Sequence, residues 1–90
     1  MNYRTEDEVR DSAKLILGFD KTDGWYLPED KGIPAIILET KSEAEDISLQ
    51  KWVKELKKNC NIVLKQYKHV VGILYNGQNI RVFLDNILCF

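Results

Sequence analysis

The apolar run from Gly32 to Lys41 constrains the fold of this chain more than any other stretch. It reads Gly-Ile-Pro-Ala-Ile-Ile-Leu-Glu-Thr-Lys and is rich in β-branched residues. A nearly unbroken apolar run of this length is typical of a strand buried on both faces of a sheet. Because side chains alternate along a strand, we expect Glu39 and Lys41 to share one face and Thr40 to point to the other.

Length and composition indicate one globular domain spanning residues 1–90. The chain is 44% hydrophobic and 30% charged, which is ordinary for a soluble protein with one modest core. No apolar run approaches the about 20 residues of a membrane-spanning helix, and no secretory signal is visible. Cys60 and Cys89 lack a metal-ligand spacing and are predicted to be free thiols. We therefore expect a cytoplasmic protein without a membrane partner.

The charges of the chain are unevenly distributed. Residues 1–46 hold six Lys and Arg against twelve Asp and Glu, a net charge of −6, whereas residues 51–69 hold six Lys against one Glu, a net charge of +5. An acidic half and a basic helix could hold a metal ion in one place and a polyanion in another. The alternative is that both runs are solvated surface, which is the commoner role of charge runs.

Two helices are predicted. Thr5 is a suitable N-cap and Glu8 completes a capping box, and apolar residues recur at helical spacing until Gly18, so the first helix is expected at about residues 6–17. The second helix is expected from Ile47 to about Tyr67, with an apolar stripe on one side and six lysines on the other. Those lysines are Lys51, Lys54, Lys57, Lys58, Lys65 and Lys68.

Four strands are predicted, at residues 24–28, 33–41, 70–75 and 79–84. The turn at residues 29–32 folds the first two strands into a hairpin, whose register would place Asp23 opposite Glu39, give or take one residue. Asn76-Gly77 predicts a type I′ turn between the last two. The passage between the second and third strands is long enough for a parallel crossover. The apolar tail, residues 87–90, is expected to pack on the core or to mark a chain cut from something longer.

These elements give an α/β (α+β) fold with the order αββαββ, in which two helices flank a mixed sheet of about four strands. Asp23, Glu39 and Lys41 would then converge with a carboxylate from the first helix. Carboxylate oxygens suit Mg²⁺, which activates water and neutralises charge on a phosphate. A lysine can orient that water or stabilise the transition state. The cluster therefore predicts phosphodiester hydrolysis, although Glu-x-Lys alone also occurs by chance in many strands.

Several stretches resemble a known family. Asp23 to Leu27, followed by Ile33 to Lys41, resembles the PD-(D/E)xK nuclease motif of the restriction-endonuclease-like superfamily. More narrowly, it resembles the N-terminal nuclease domain of type I restriction enzyme R subunits. Thr5 to Arg10 is similar to that family's opening helix, and Val71 to Phe83 to its strand, Asn-Gly turn and strand. The resemblance covers roughly residues 5–84.

The resemblance implies a restriction-endonuclease-like fold and a Mg²⁺- or Mn²⁺-dependent DNA endonuclease of a type I restriction-modification system. It implies that Asp23 and Glu39 bind the metal, that Lys41 is the catalytic lysine, and that Glu6 is the acid from the first helix. Glu8 competes with Glu6 for that role, although capping alone explains it. DNA is the implied partner, together with other restriction-modification subunits or a helicase motor. The oligomeric state stays open.

The chain departs from the family pattern in three places. A Thr stands where relatives have a Pro before Asp23, and the large helicase domains of R subunits are missing. Many relatives have a Gln followed four residues later by Tyr in the second helix, whereas Gln50 is followed by Lys54 and Gln66 adjoins Tyr67. Gln66 is kept as a weak site candidate. The chain is thus interpreted as an excised domain, a stand-alone relative or a truncated remnant.

Three functional hypotheses follow. The first is the endonuclease, with Lys51, Lys54, Lys58 and Lys65 on the DNA backbone. The second is a catalytically inactive or truncated nuclease-fold module that serves in DNA binding or complex assembly. The third is a small structural protein unrelated to nucleases, in which Glu39 and Lys41 form a surface ion pair of little energetic value. His69 has no Cys or Ser partner at a telling spacing and is not expected to be catalytic.

Overall fold

A computed structural model describes residues 2–17 and 24–90 as a small α+β fold with two helices and a five-stranded mixed sheet. Its elements are α1 (Glu6–Leu17), β1 (Trp25–Tyr26), β2 (Ala35–Thr40), α2 (Gln50–Leu64), β3 (Val70–Tyr75), β4 (Ile80–Leu84) and β5 (Ile87–Leu88). The strands lie side by side in chain order. β2 and β3 are parallel, and each other neighbouring pair is antiparallel. The predicted parallel crossover through α2 is confirmed, and the fifth strand was not predicted.

Helix α1 begins as predicted because the capping box forms. The backbone N–H of Glu8 donates to the Thr5 hydroxyl at 3.3 Å, and the Glu8 carboxylate accepts from the Thr5 backbone N–H at 3.2 Å. These bonds satisfy donors that a helix start leaves open. Ala13 of α1 packs with Leu38 and Ile73 on one face of the sheet. In the described parts of the chain, no helix has both the length and the apolarity needed to cross a membrane.

Helix α2 covers the other face of the sheet and begins later than predicted. The Asp46 carboxylate accepts hydrogen bonds from the backbone N–H of Ser48 at 2.9 Å and from its hydroxyl at 2.6 Å. Such a side-chain turn competes with helix formation, and Ile47 therefore lies outside the helix. Ile47 is nevertheless buried in the core. The apolar stripe packs on the buried residues of β2 and β3 as expected. Its buried members within the helix are Val53, Leu56, Cys60 and Val63.

The β3–β4 turn differs from the predicted type I′ geometry. A type I′ turn centred on Asn76 and Gly77 needs positive φ at both residues, but only Gly77 of the two has it, at 90°. The Asn76 side chain is buried: its oxygen accepts from the backbone N–H groups of Gln78 and Asn79, and its amide donates to the Glu45 carbonyl at 2.8 Å. These bonds place Asn76 at the base of the turn and shift the centre to Gly77 and Gln78.

The fifth strand arises from a turn that the sequence analysis missed. Asp85 and Asn86 both have positive φ, 50° and 69°, as a type I′ turn requires. The Asp85 carboxylate also accepts from the Val70 backbone N–H at 2.8 Å and lies 2.7 Å from the His69 ring. These hydrogen bonds, that of His69 above all, hold the pKa of Asp85 below its usual value. The tail therefore turns back along β4 instead of entering the core, and Phe90 remains 75% exposed.

An ion pair ties the N-terminal segment to the end of the sheet that carries Glu39. The Arg4 side chain contacts the Glu43 carboxylate at 2.7 Å and donates to the Gly77 carbonyl at 2.9 Å. The backbone of Glu43 donates in turn to the Arg4 carbonyl at 3.0 Å. Because Arg4 directly precedes the capping box, these contacts fix where α1 begins relative to the loop after β2.

The close approach of α2 to β3 at Gly72 gives a stability prediction. A Cβ at position 72 would lie 2.8 Å from the Cys60 sulfur and 3.3 Å from a Leu56 methyl group. We expect Gly72→Ala to lower the free energy of unfolding by about 1–3 kcal/mol, as overpacking of a core does. Urea denaturation measures this loss. Adding Cys60→Ala removes the sulfur, so the double variant should lose less than the sum of the two single losses. Additive losses would show that the contact does not limit packing.

Candidate active site

Glu39 of β2 and Lys41, the second residue after it, both contact α2, which confirms that the two side chains point to the same side of the sheet. The Asn59 amide donates to a Glu39 carboxylate oxygen at 2.5 Å. The Lys41 amine donates to the two carboxylate oxygens of Glu55 at 3.3 and 3.4 Å. Glu55 and Asn59 are four residues apart and therefore neighbours on one side of the helix. One side of α2 thus contacts both side chains that the sequence analysis selected from β2.

Lys41 is buried although it carries a charge. The residue is 8% exposed, and its amine lies 4.3 Å from the centre of the Trp52 ring. A cation over an aromatic face is attracted to the ring, and the attraction is larger where water is excluded. The predicted alternative of a surface Glu39–Lys41 ion pair is wrong, because Lys41 is buried and pairs with Glu55.

The pKa of the Glu39 carboxyl is raised above its ordinary value. Burial is the largest cause, because it disfavours the ionised form, and the Glu55 carboxylate adds to it by repulsion. The Asn59 hydrogen bond and the Lys41 charge act in the opposite direction without reversing the shift. Carboxylates whose pKa is shifted by burial and by a neighbouring charge occur preferentially at functional sites.

The two candidate acids of α1 differ in their surroundings. Glu8 is engaged in the capping box with Thr5. Glu6 forms an ion pair with Arg10 at 3.3 Å, and its charge is a further cause of the raised pKa of Glu39. Of the two acids, Glu6 therefore has the electrostatic link to Glu39.

Asp23 lies outside the described residues. The neighbouring strand pair has the predicted register, with Trp25 opposite Ile37 and Tyr26 opposite Ile36. Gly24 accepts a hydrogen bond from the Leu38 backbone N–H at 3.0 Å. The expected position of Asp23 opposite Glu39 stays a prediction.

The four lysines predicted to contact DNA are exposed and lie along one stripe of α2 and its C-terminal end. At 3.6 residues per turn this stripe runs next to Glu55, on the side away from the core. Its members, Lys51, Lys54, Lys58 and Lys65, are called the lysine stripe below. Lys57 lies on the other flank, where its amine is 5.6 Å from the Phe83 ring. The Lys51 amine lies 4.5 Å from the Trp52 ring, so Trp52 contacts both the stripe and Lys41.

Two other candidates lie away from this cluster. Gln66 lines a shallow depression between β1 and the C-terminal half of α2, together with Trp25 and Leu27. His69 precedes β3 and its carbonyl accepts from the Ala35 backbone N–H, so it sits at the end of β2 opposite to Glu39. The weak assignment of Gln66 to the site therefore gains no support from the geometry.

Sequence reasoning missed Glu55 and Asn59. Trp52 packs against the core from its partly buried position and also contacts Lys41. Gln50 and Gln66 were the amide candidates of the second helix, whereas the amide that bonds to Glu39 belongs to Asn59. A signal was present, because Glu55 is the single acid in a lysine-rich helix. Its spacing from Asn59 also puts both on one side of the helix.

The fit of a divalent cation can be tested on Glu39. In the described residues, no group of three or more His, Cys, Asp or Glu side chains lies together as a metal site. Mg²⁺, however, keeps several waters and takes only one or two protein carboxylates beside substrate phosphates. Glu39 offers one carboxylate, and a cation there would offset the burial and repulsion that raise its pKa. Glu39 thus supplies one carboxylate, which is the number that a water-rich cation held jointly with a phosphate can take from a protein.

Comparison of the chain with protein-family models, with curated proteins and with solved structures gave no match in any of the three.

The raised pKa of Glu39 predicts an unusual response to Glu39→Gln. A raised pKa means that the ionised carboxylate destabilises the folded state, a cost present above the folded-state pKa and lost as the pH falls through it. The amide keeps an oxygen for Asn59 without the charge. We expect Glu39→Gln to be as stable as the wild type or more stable at neutral pH, with the difference disappearing in acid. Thermal unfolding across pH measures this, and a clear loss of stability at neutral pH would contradict it.

Proposed function

We propose that this chain is a Mg²⁺-dependent DNA endonuclease domain with a restriction-endonuclease-like fold, of the kind found at the N-terminus of type I restriction enzyme R subunits. The observation that carries the proposal is the placement of a half-buried carboxylate, Glu39, and a buried lysine, Lys41, on the same side of the sheet at one end of β2, where both contact α2. Burying two ionisable groups side by side is costly for the fold, and a site for a cation and a phosphate would account for that cost.

The reaction would be hydrolysis of a phosphodiester. An oxygen of water forms a bond to phosphorus while the bond from phosphorus to one sugar oxygen breaks; the water loses a proton and the sugar oxygen gains one. Bound Mg²⁺ would supply positive charge that lowers the pKa of the attacking water and offsets charge developing on the phosphate. Glu39 would hold the cation together with Asp23. The Lys41 amine would orient the water or donate to a phosphate oxygen.

Glu6 would complete the acidic side of the site from α1. Its carboxylate would act through its charge on Glu39 and through water to the cation, since Mg²⁺ retains several waters. The ion pair between Arg4 and Glu43 holds the start of α1 at the end of the sheet that carries Glu39.

The lysine stripe supports DNA as the substrate. The stripe borders the flank of α2 that carries Glu55 and Asn59, so a backbone lying along it would pass beside Glu39 and Lys41. Contacts of lysine with phosphate position a duplex without reading its sequence. The lysine stripe would therefore bind the DNA backbone without reading its bases.

A second candidate function is the inactive module that binds DNA or assembles with a partner. The ion pair between Lys41 and Glu55 favours this second candidate. The Glu55 carboxylate already accepts hydrogen bonds from the Lys41 amine, and a phosphate would need the same donors. Titration of Mn²⁺ by calorimetry separates the two candidates. Heat that is present in the wild type and lost in Glu39→Gln and Asp23→Ala supports the nuclease, whereas no heat in the wild type supports the module.

The first functional prediction concerns cleavage. Lys41→Ala and Glu39→Gln should each reduce Mg²⁺-dependent nicking of supercoiled plasmid by about 100-fold or more, as the loss of one electrostatic group at a reaction centre does. Circular dichroism should remain that of the wild type. Lys57→Ala, which removes an amine from the opposite flank of the same helix, is the matched control and should cleave normally. Nicking by Lys41→Ala and Glu39→Gln at the wild-type rate would remove the site assignment.

The second functional prediction concerns binding. Each lysine that neutralises a phosphate contributes about 0.9 to the slope of log affinity against log salt. Replacing Lys54 and Lys58 of the stripe by Ala should weaken duplex binding and make that slope shallower by up to about two. Fluorescence anisotropy with a labelled duplex at several salt concentrations measures both. A paired change at Lys57 and Lys68 is the control, and an equal effect of the two pairs would show that the stripe is ordinary charged surface.

A further inference from the structure

We propose that Glu55 and the Trp52 ring fix the Lys41 amine beside Glu39, so that Glu55 is a positioning residue for the cleavage. The inference rests on the proposed function and assigns a role to a residue of α2 that no motif points to.

The first support is that Lys41 is held at both ends of its side chain. Its backbone N–H donates to the Tyr75 carbonyl at 2.9 Å, which anchors the base of the side chain to β3. Its amine meets both oxygens of Glu55 at 3.3 and 3.4 Å and lies 4.3 Å from the centre of the Trp52 ring. A lysine side chain is flexible and its ammonium is a point charge without preferred geometry. Contacts from two directions are what confine it.

The second support is the arrangement of α2. Glu55 and Asn59 lie one turn apart, and they bond to Lys41 and Glu39 respectively. The strand fixes the spacing of the two backbone positions, but the ends of long side chains move freely unless a second element holds them. The helix supplies that element, because the two contacts share its rigid turn. Repulsion from Glu55 on the Glu39 carboxyl agrees with their nearness.

The third support is that the contacts with Glu55 and Trp52 leave the Lys41 amine with a further hydrogen-bond donor. A lysine ammonium has three donors, and Glu55 accepts through its two oxygens. The Glu55 side chain is 44% exposed and the Lys41 side chain 10%, so Glu55 is the member of the pair that solvent reaches. A phosphate or water that reaches the site beside Glu55 would therefore meet an amine that is already oriented.

Two substitutions separate the charge of Glu55 from its reach. Glu55→Gln keeps the length of the side chain and removes the charge, whereas Glu55→Asp keeps the charge and shortens the side chain by one methylene. Since the residue is partly exposed on a helix, neither change empties the core. Glu29→Gln, on the exposed turn between β1 and β2, makes the same chemical change away from the site and is the control.

The experiment combines NMR with kinetics on the whole chain. In the wild type, the Lys41 methylene next to the amine should show an upfield ring-current shift from Trp52. Glu55→Gln should move that signal toward the position of exposed lysines, and Glu29→Gln should leave it unchanged. In plasmid cleavage, Glu55→Gln should lower kcat by about 10- to 100-fold with little change in KM, as misplacing a reacting group does. Glu55→Asp should recover part of the loss, and Glu55→Gln should cost nothing further in a Lys41→Ala background.

The outcomes distinguish this inference from the proposed function. A wild type that cleaves, with Glu55→Gln equally fast, overturns the positioning role and leaves the nuclease intact. An unmoved Lys41 signal in Glu55→Gln overturns it as well. A wild type that fails to cleave with Mg²⁺ or Mn²⁺ overturns the nuclease, and the role of Glu55 in cleavage falls with it. If Glu55→Gln loses its helical circular dichroism, the Lys41 NMR signal and the cleavage kinetics are compared in Glu55→Asp and Trp52→Phe instead.

Discussion

The packing of α2 on the parallel pair β2–β3 is the contact on which the rest of the structure depends. It buries Ile37, Leu56 and Leu74 completely, and it joins strands that are far apart in the chain. Gly72 allows this closeness, because a side chain there would meet the Cys60 sulfur. The same docking that closes the core brings Glu55 and Asn59 to the end of β2. Core and candidate site are therefore set by one distance between a helix and a strand.

The apolar residues at the start of β2 stabilise the fold, whereas the charged residue near its end, Glu39, lowers the stability. Burial raises the pKa of Glu39, which means that the folded chain holds this carboxylate in an unfavourable environment. Lys41 is compensated by Glu55 and by the Trp52 ring. Buried ion pairs seldom stabilise a fold relative to apolar residues of similar size. Glu39 and the Lys41–Glu55 pair therefore add little to the stability of the fold at the end of β2 where they lie.

Most of the fold could be predicted because its signals are local. Capping predicted the start of α1, an apolar run predicted β3, and the turn at residues 29–32 predicted the register of β1 and β2. The errors fall where a side chain competes with the backbone pattern. Because the Asp46 side chain bonds to Ser48, α2 begins later in the sequence than predicted. Because the Asn76 side chain bonds to the backbone of the turn, the β3–β4 turn is centred one residue later than predicted. The turn at Asp85 and Asn86 was missed because neither residue is Gly, although both adopt the left-handed conformation that adds β5.

The sequence by itself determined that Glu39 and Lys41 share a face, because alternation along a strand follows from covalent geometry. It also determined which lysines form the stripe, because the helical repeat fixes their directions. Only the tertiary structure decided that Lys41 pairs with Glu55 and that Asn59 bonds to Glu39. Those contacts join residues 14 and 20 positions apart across a crossover. Their geometry depends on how α2 packs against the sheet, which the close packing of many side chains sets and no local pattern encodes.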